Sequence, residues 1–162
     1  LLNDDTEVLA PCWLSQMVGY LSIEGVGVVG AKLFFPDGKI QHAGIINNIL
    51  DGLPAPAFRG FDGKESGYLN YLRVARNYKA VTAACLLTTR KLFQEIGGFD
   101  ESNLPVAYND VDFCYRVTER AKKRCVYSPE AQLIHKEGSS RGSKDDYNEI
   151  FYTPLYLDCS ES

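Results

Sequence analysis

Residues 26–35, Val-Gly-Val-Val-Gly-Ala-Lys-Leu-Phe-Phe, are almost wholly apolar and rich in β-formers, the pattern of a strand covered on both faces. Pro36-Asp37-Gly38-Lys39 reads as a turn, after which 40–47 returns as a second strand carrying His42. Upstream, Trp13, Leu14, Met17, Val18 and Leu21 recur at helical spacing and predict a helix opened by Pro11, with that stripe in the core. Residues 51–67 hold Pro54, Pro56 and several glycines and read as a long loop on the substrate side. Residues 68–76 suggest a short helix or turn, and 78–88 a buried strand whose small Ala83 and Ala84 leave room for close approach to the backbone. Thr89 is placed to cap a helix running to Ile96, and Gly97 to end it. Val111, Cys114, Tyr115 and Val117 predict a further amphipathic helix over 110–121. Two strands, 124–127 and 131–135, follow on either side of Ser128-Pro129, the second delivering His135 at its end. A polar loop at 137–142 and one helix near 147–156, limited by Pro154, close the chain. Strands alternating with helices in this way predict an α/β fold.

With 162 residues the chain suits one domain with a substantial core. A 45% hydrophobic and 23% charged composition is that of an ordinary globular protein. The net charge of −4 and the lack of any Lys/Arg block argue against nucleic acid as a partner. No apolar run approaches the length of a membrane span, and no signal peptide is visible. Cys12, Cys85, Cys114, Cys125 and Cys159 are odd in number, scattered and free of any CxxC pair, which favours free thiols in a reducing, cytoplasmic compartment. The chain starts at Leu1 without Met, on residues that read as a strand end, so a segment of a longer protein is expected.

Candidate chemistry concentrates at two places. Asn109-Asp110-Val111-Asp112 stands on the threshold of the predicted helix, just after the adaptable Gly97-Gly98-Phe99-Asp100-Glu101 loop. Asn109 or Asp110 can serve as N-cap and Asp112 can favour the helix dipole. A carboxylate at a helix start on an open sheet also lies where α/β enzymes put their chemistry. Both readings fit the residues. Asn3-Asp4-Asp5-Thr6-Glu7 follows an apolar strand end. It is either a polar loop capping the next helix or a set of oxygen ligands for a hard divalent cation. His42, alone in a strand, reads as structural, and Arg59 as a solvated arginine.

Six stretches taken in order resemble a known family: LLNDDTEV, VGVVGAKLFFPDGKIQHAG, RNYKAVTAACLL, IGGFDE, VAYNDVDFCYRV and LIHKEGSSRG. Together they are similar to the second half of glycosyltransferase family two, inverting enzymes with the Rossmann-like GT-A fold. The resemblance covers residues 1–142 and leaves 143–162 as a separate, helical tail. It implies a partial GT-A domain, a mixed sheet flanked by helices, with the family's nucleotide-binding first half absent and the isolated piece inactive. It implies transfer of a sugar from a nucleotide-diphosphate sugar to a saccharide or lipid-linked acceptor. Asp110 then matches the catalytic base, and Asp5 and His135 match ligands of a divalent cation, Mg or Mn, bound with the donor diphosphate. Asp4, Asp100, Asn109, Asp112 and Arg141 become substrate-binding candidates. The sequence departs from the family at Asn109, where many members have Glu, and at Ala83, where Gly is commoner. The resemblance also brings the expectation of a peripheral association at the inner face of the membrane. Loss of the first strands predicts an exposed sheet edge open to self-association. A non-catalytic GT-A-like module binding a saccharide or protein is the alternative from a different class.

Overall fold

A computed structural model describes residues 1–50, 52–105 and 107–136. Arg141, the 137–142 loop and the 143–162 tail lie outside the described residues. The elements in chain order are β1 (Thr6–Val8), α1 (Trp13–Leu21), β2 (Val26–Phe34), β3 (Ile40–His42), β4 (Ile45–Leu50), β5 (Leu53–Pro56), a 3-10 turn (Tyr68–Asn70), β6 (Arg76–Tyr78), β7 (Leu86–Thr88), α2 (Arg90–Ile96), α3 (Asn109–Glu119) and β8 (Arg124–His135).

The fold is α/β, a mixed, Rossmann-like sheet between helices. Its spine is β2, every residue of which is buried, paired in parallel with β8. β1 and β6 add to β8 antiparallel, and β3 and β7 add to β2 antiparallel. β4 and β5 form a separate hairpin. Because side chains alternate across a strand, neighbouring residues of the spine enter different cores. Val29 and Val126 pack with Met17 and the partly buried Trp13, Tyr20 and Leu21 of α1. Val28 and Cys125 pack with Leu92 and Ile96 of α2 and Val111, Phe113, Cys114 and Val117 of α3. One helix therefore covers one face of the spine and two cover the other. A side chain as fully buried as Met17 contributes about 1.5–3 kcal/mol through removal of apolar surface from water.

α2 forms where its capping residues placed it: the Thr89 side chain accepts Leu92 N–H, and Gly97 closes it at φ 92°. Several other expectations are corrected. The helix expected from Pro11 begins at Trp13, with Pro11 in the preceding turn. In α1, Leu14 and Val18 are 47% and 50% exposed, so the buried stripe is narrower than the spacing implied. Residues 40–47 do not make one strand, since Gly44 turns the chain at φ 97°. A Cβ there would sit 2.3 Å from the Tyr78 ring, so the turn needs both the torsion and the missing side chain. Residues 51–67 are not all loop, because β5 pairs back on β4 despite its prolines, as an edge strand tolerates. Residues 124–127 and 131–135 are one strand, β8, with a register irregularity opposite Ala31 and Lys32 that absorbs Ser128-Pro129.

The largest correction concerns 78–88. Only its two ends are strands, β6 and β7, and they pair with different partners. Between them Val81 packs against Gly30 of β2, so closely that a Cβ on Gly30 would lie 2.4 Å from the Val81 Cβ. The apolar run that looked like a strand is a buried connection, in which the N–H groups of Thr82, Ala83 and Ala84 are directed to side chains instead of a ladder.

Candidate functional site

Asp110 is held by two backbone amides. Its Oδ2 accepts Ala83 N–H at 2.9 Å from the buried connection, and its Oδ1 accepts Val111 N–H at 2.8 Å in the first turn of α3. Neither Asn109 nor Asp110 is the N-cap. Tyr108 occupies that position at φ 60° without a side-chain capping bond, so α3 starts at Asn109 and Asp110 satisfies a first-turn donor from inside the helix. An ionised carboxylate offers about four lone-pair sites, and these bonds occupy two.

The second group forms at the adjoining ends of β1 and β8, where Thr6 pairs with His135. His135 Nε2 stands 3.0 Å from Asp5 Oδ1 and 3.2 Å from Asn3 Nδ2. Its Nδ1 lies 2.8 Å from Gln41 Oε1. The glutamine carbonyl can only accept, so Nδ1 carries a proton there, and Nε2 is the ring atom that faces Asp5 and Asn3. Such an outer hydrogen bond is what fixes the ring of a metal-binding histidine. Adjacent ligands of an octahedral ion, each about 2.1 Å from it, stand about 3.0 Å apart, so Asp5 and His135 fit two positions of a magnesium or manganese shell. Among the described residues no third acidic, histidine or cysteine side chain joins them, and the remaining ligands would come from water or a bound molecule.

A continuous run of contacts joins the two groups. Asp110 accepts from Ala83, Ala84 O accepts Asn3 N–H at 3.0 Å, and the Asn3 side chain meets His135. His42 supports the same connection from below. It is 2% exposed, its Nδ1 donates to Ala31 O at 3.0 Å, and its Nε2 accepts both Gly44 N–H and Thr82 N–H at 3.2 Å. Burial lowers its pKa to about 4, keeping the ring neutral and able to accept.

The remaining candidates lie elsewhere or have other partners. Asp4 is exposed in the turn before β1. Asp112 Oδ2 accepts Arg116 Nε and Nη2 at 2.8 and 2.6 Å, while Arg116 also reaches Ile96 O and Gly98 O. Asp100 folds its own loop, accepting Ser102 N–H, Asn103 N–H and the Asn103 amide; those bonds, the side-chain one foremost, hold its carboxyl below the ordinary range. Asn109 is the first residue of α3. Gln41 and Thr82 were given no role by the sequence, and Ala83 only that of a small residue leaving room at the backbone. For Gln41 the signal available was its place beside His42 in the expected second strand. For Thr82 none existed, and for Ala83 small size alone could not point to Asp110, because the groups used are backbone amides.

No family model matches the chain. It is 47% identical over 145 residues to the Sinorhizobium fredii protein y4gI, across 90% of this chain and 16% of that protein. It is 36% identical over 140 residues to the O-antigen biosynthesis protein RfbC of Myxococcus xanthus, across 86% of this chain and 11% of that protein. The chain therefore spans less than a fifth of either relative. Among the described residues no helix is long and apolar enough to cross a membrane.

Proposed function

We propose that this chain carries the acceptor side of an inverting glycosyltransferase site, moving a sugar from a nucleotide-diphosphate sugar to a saccharide or lipid-linked acceptor. The observation that carries the reading is the contact run from Asp110 through Ala83, Ala84 and Asn3 to the His135–Asp5 pair. It brings a helix-start carboxylate into one structural unit with a carboxylate–imidazole pair. Similarity to an O-antigen biosynthesis protein supports a saccharide product, and the order of the six motifs supports the family. In this reading Asp110 takes the proton of an acceptor hydroxyl as its oxygen bonds to the anomeric carbon. The bond from that carbon to the diphosphate breaks on the opposite face, and the configuration inverts. The Ala83 and Val111 amides orient the carboxylate so that positioning is settled before the acceptor arrives. Asp5 and His135 would hold the divalent cation, whose contribution is to offset charge on the leaving diphosphate.

The test is Asp110→Asn in the intact protein, assayed against a panel of nucleotide sugars. Asn keeps the shape and can still accept an amide proton, but it cannot take up the hydroxyl proton. Transfer should fall about 10²–10⁴-fold, with donor binding nearly unchanged and stability lowered by about 1–3 kcal/mol, because one of the Ala83 and Val111 amides then faces an NH2 group instead of an oxygen. Activity equal to the parent protein would refute the base. The non-catalytic module would then stand in front, a reading favoured by the two backbone bonds that already give Asp110 a structural task.

A further inference from the structure

Where β2 and β8 slip register, Lys32 sits in a cleft of about 500 Å³ that is also lined by Lys64, Glu65, Arg73, Glu130 and Gln132. Lys32 is only 4% exposed. An ammonium has three donors, yet among the described residues its hydrogen bond is a long one of 3.4 Å to Leu72 O, an oxygen that already accepts the Tyr127 hydroxyl at 3.1 Å. Its other neighbour is the Phe34 ring, with the centroid 5.0 Å away. Among the described residues no carboxylate stands within ion-pair distance of it. Glu130, the nearest acid in sequence to Gln132, has its oxygens engaged by Tyr20 and Ser128. Arg73 also lines the cleft and gives Lys64 O a bond at 3.0 Å from one of its five N–H donors. Burial, and after it the Arg73 charge, pushes the Lys32 ammonium below its ordinary value. A buried cation without a counter-charge is costly, and two cations converging on one cleft compound that cost.

We propose that this cleft is an anion subsite that takes a phosphate or carboxylate group carried on a sugar-sized ligand, with Lys32 and Arg73 as its binding cations. Its volume lies in the range of small-molecule sites, about 300–1,000 Å³. Glu65 and Gln132, which also line the cleft, supply acceptors for hydroxyl groups. The inference does not depend on the role of Asp110, and its test needs no transfer assay.

The full chain would be titrated by calorimetry with glucose 1-phosphate, glucuronate, inorganic phosphate and, as the uncharged control, glucose. Saturable binding is expected for glucose 1-phosphate or glucuronate, weaker for inorganic phosphate and absent for glucose; which of the first two binds better separates phosphate from carboxylate. Lys32→Met, which keeps the stem and removes the charge, should weaken binding at least about ten-fold, and Arg73→Gln less. Lys39→Met, which removes an exposed lysine paired with Asp37, should leave it unchanged. Lys32→Arg serves as the charge-retaining variant if Lys32→Met does not fold. In the parent protein the Lys32 ammonium titration, followed by NMR, should move upward when the anion is added. Absence of saturable binding for all three anions, equal binding by Lys32→Met, or an unmoved Lys32 titration would each overturn the proposal. Inorganic phosphate binding as tightly as the sugar phosphate would overturn the sugar-sized part of it.

Discussion

At the residue scale, His42 turns a buried ring into a spacer. One nitrogen donates to Ala31 and the other accepts from Gly44 and Thr82, so β2, the Gly44 turn and the connection that presents Ala83 to Asp110 meet on one imidazole. The useful property is the acceptor at Nε2. Gln can place an amide oxygen near that point, and Leu cannot. In the intact protein His42→Gln should retain most transfer. His42→Leu should lower kcat by about 10²-fold, the scale of a small misplacement of a catalytic group, with donor KM little changed. A folded Leu variant with full kcat would show that Thr82 and Ala83 hold Asp110 without help from His42. The Asp110→Asn comparison keeps this outcome separate from failure of the base itself.

At the element scale, the junction of α2 with α3 rests on Arg116. Its guanidinium donates to Ile96 O and Gly98 O at 2.7 Å and to Asp112 across one helical turn. The last carbonyls of a helix lack intrahelical donors, and a cation there also suits the dipole. Both partners of the ion pair are largely shielded from solvent, which sets it apart from surface pairs worth almost nothing. Arg116→Met should lower stability by about 2–3 kcal/mol, as expected for losing charge-assisted bonds. Asp112→Asn should lower it by less, because the carbonyl contacts persist. Urea unfolding midpoints measure both, and a change under about 0.5 kcal/mol for Arg116→Met would reduce the junction to apolar packing of Phe93, Phe99 and Phe113.

At the scale of the whole molecule, the same buried histidine makes stability depend on pH. The folded pKa of His42 is about 4 against an ordinary 6.5. Between these values the unfolded chain binds a proton that the folded one refuses. The contribution is therefore complete above about pH 6.5 and lost as pH falls through about 4, worth roughly 3 kcal/mol. Asp37 and Asp100, held low chiefly by bonds from the Lys39 amide and the Asn103 side chain, act further down the scale. Unfolding free energies taken from pH 7 to 4.5 should fall steadily, and His42→Gln should flatten the decline. A parent and a Gln variant with equal slopes would place the proton elsewhere.

Local signals were enough wherever an element is determined by its own residues. Nine consecutive buried positions announced β2, and Thr89 with Gly97 bracketed α2 within a residue, because apolar runs and caps act over a single turn or strand. The helix-start acids and the strand-end histidine were visible as candidates for the same reason. The fate of 78–88 was not visible, since a short buried run has the same composition whether it pairs in a ladder or crosses a core. Gly30 decides it from some fifty residues away by admitting Val81, and Ala31, by way of His42, by engaging Thr82. Nor could residue types reveal that Ala83 would serve Asp110, because a backbone N–H is common to every residue except proline and acquires a target only when the chain folds. The sequence by itself determined which segments could be buried and where charge would stand at their ends. Tertiary structure decided which of those ends meet, because contacts between distant segments depend on how close two backbones can come.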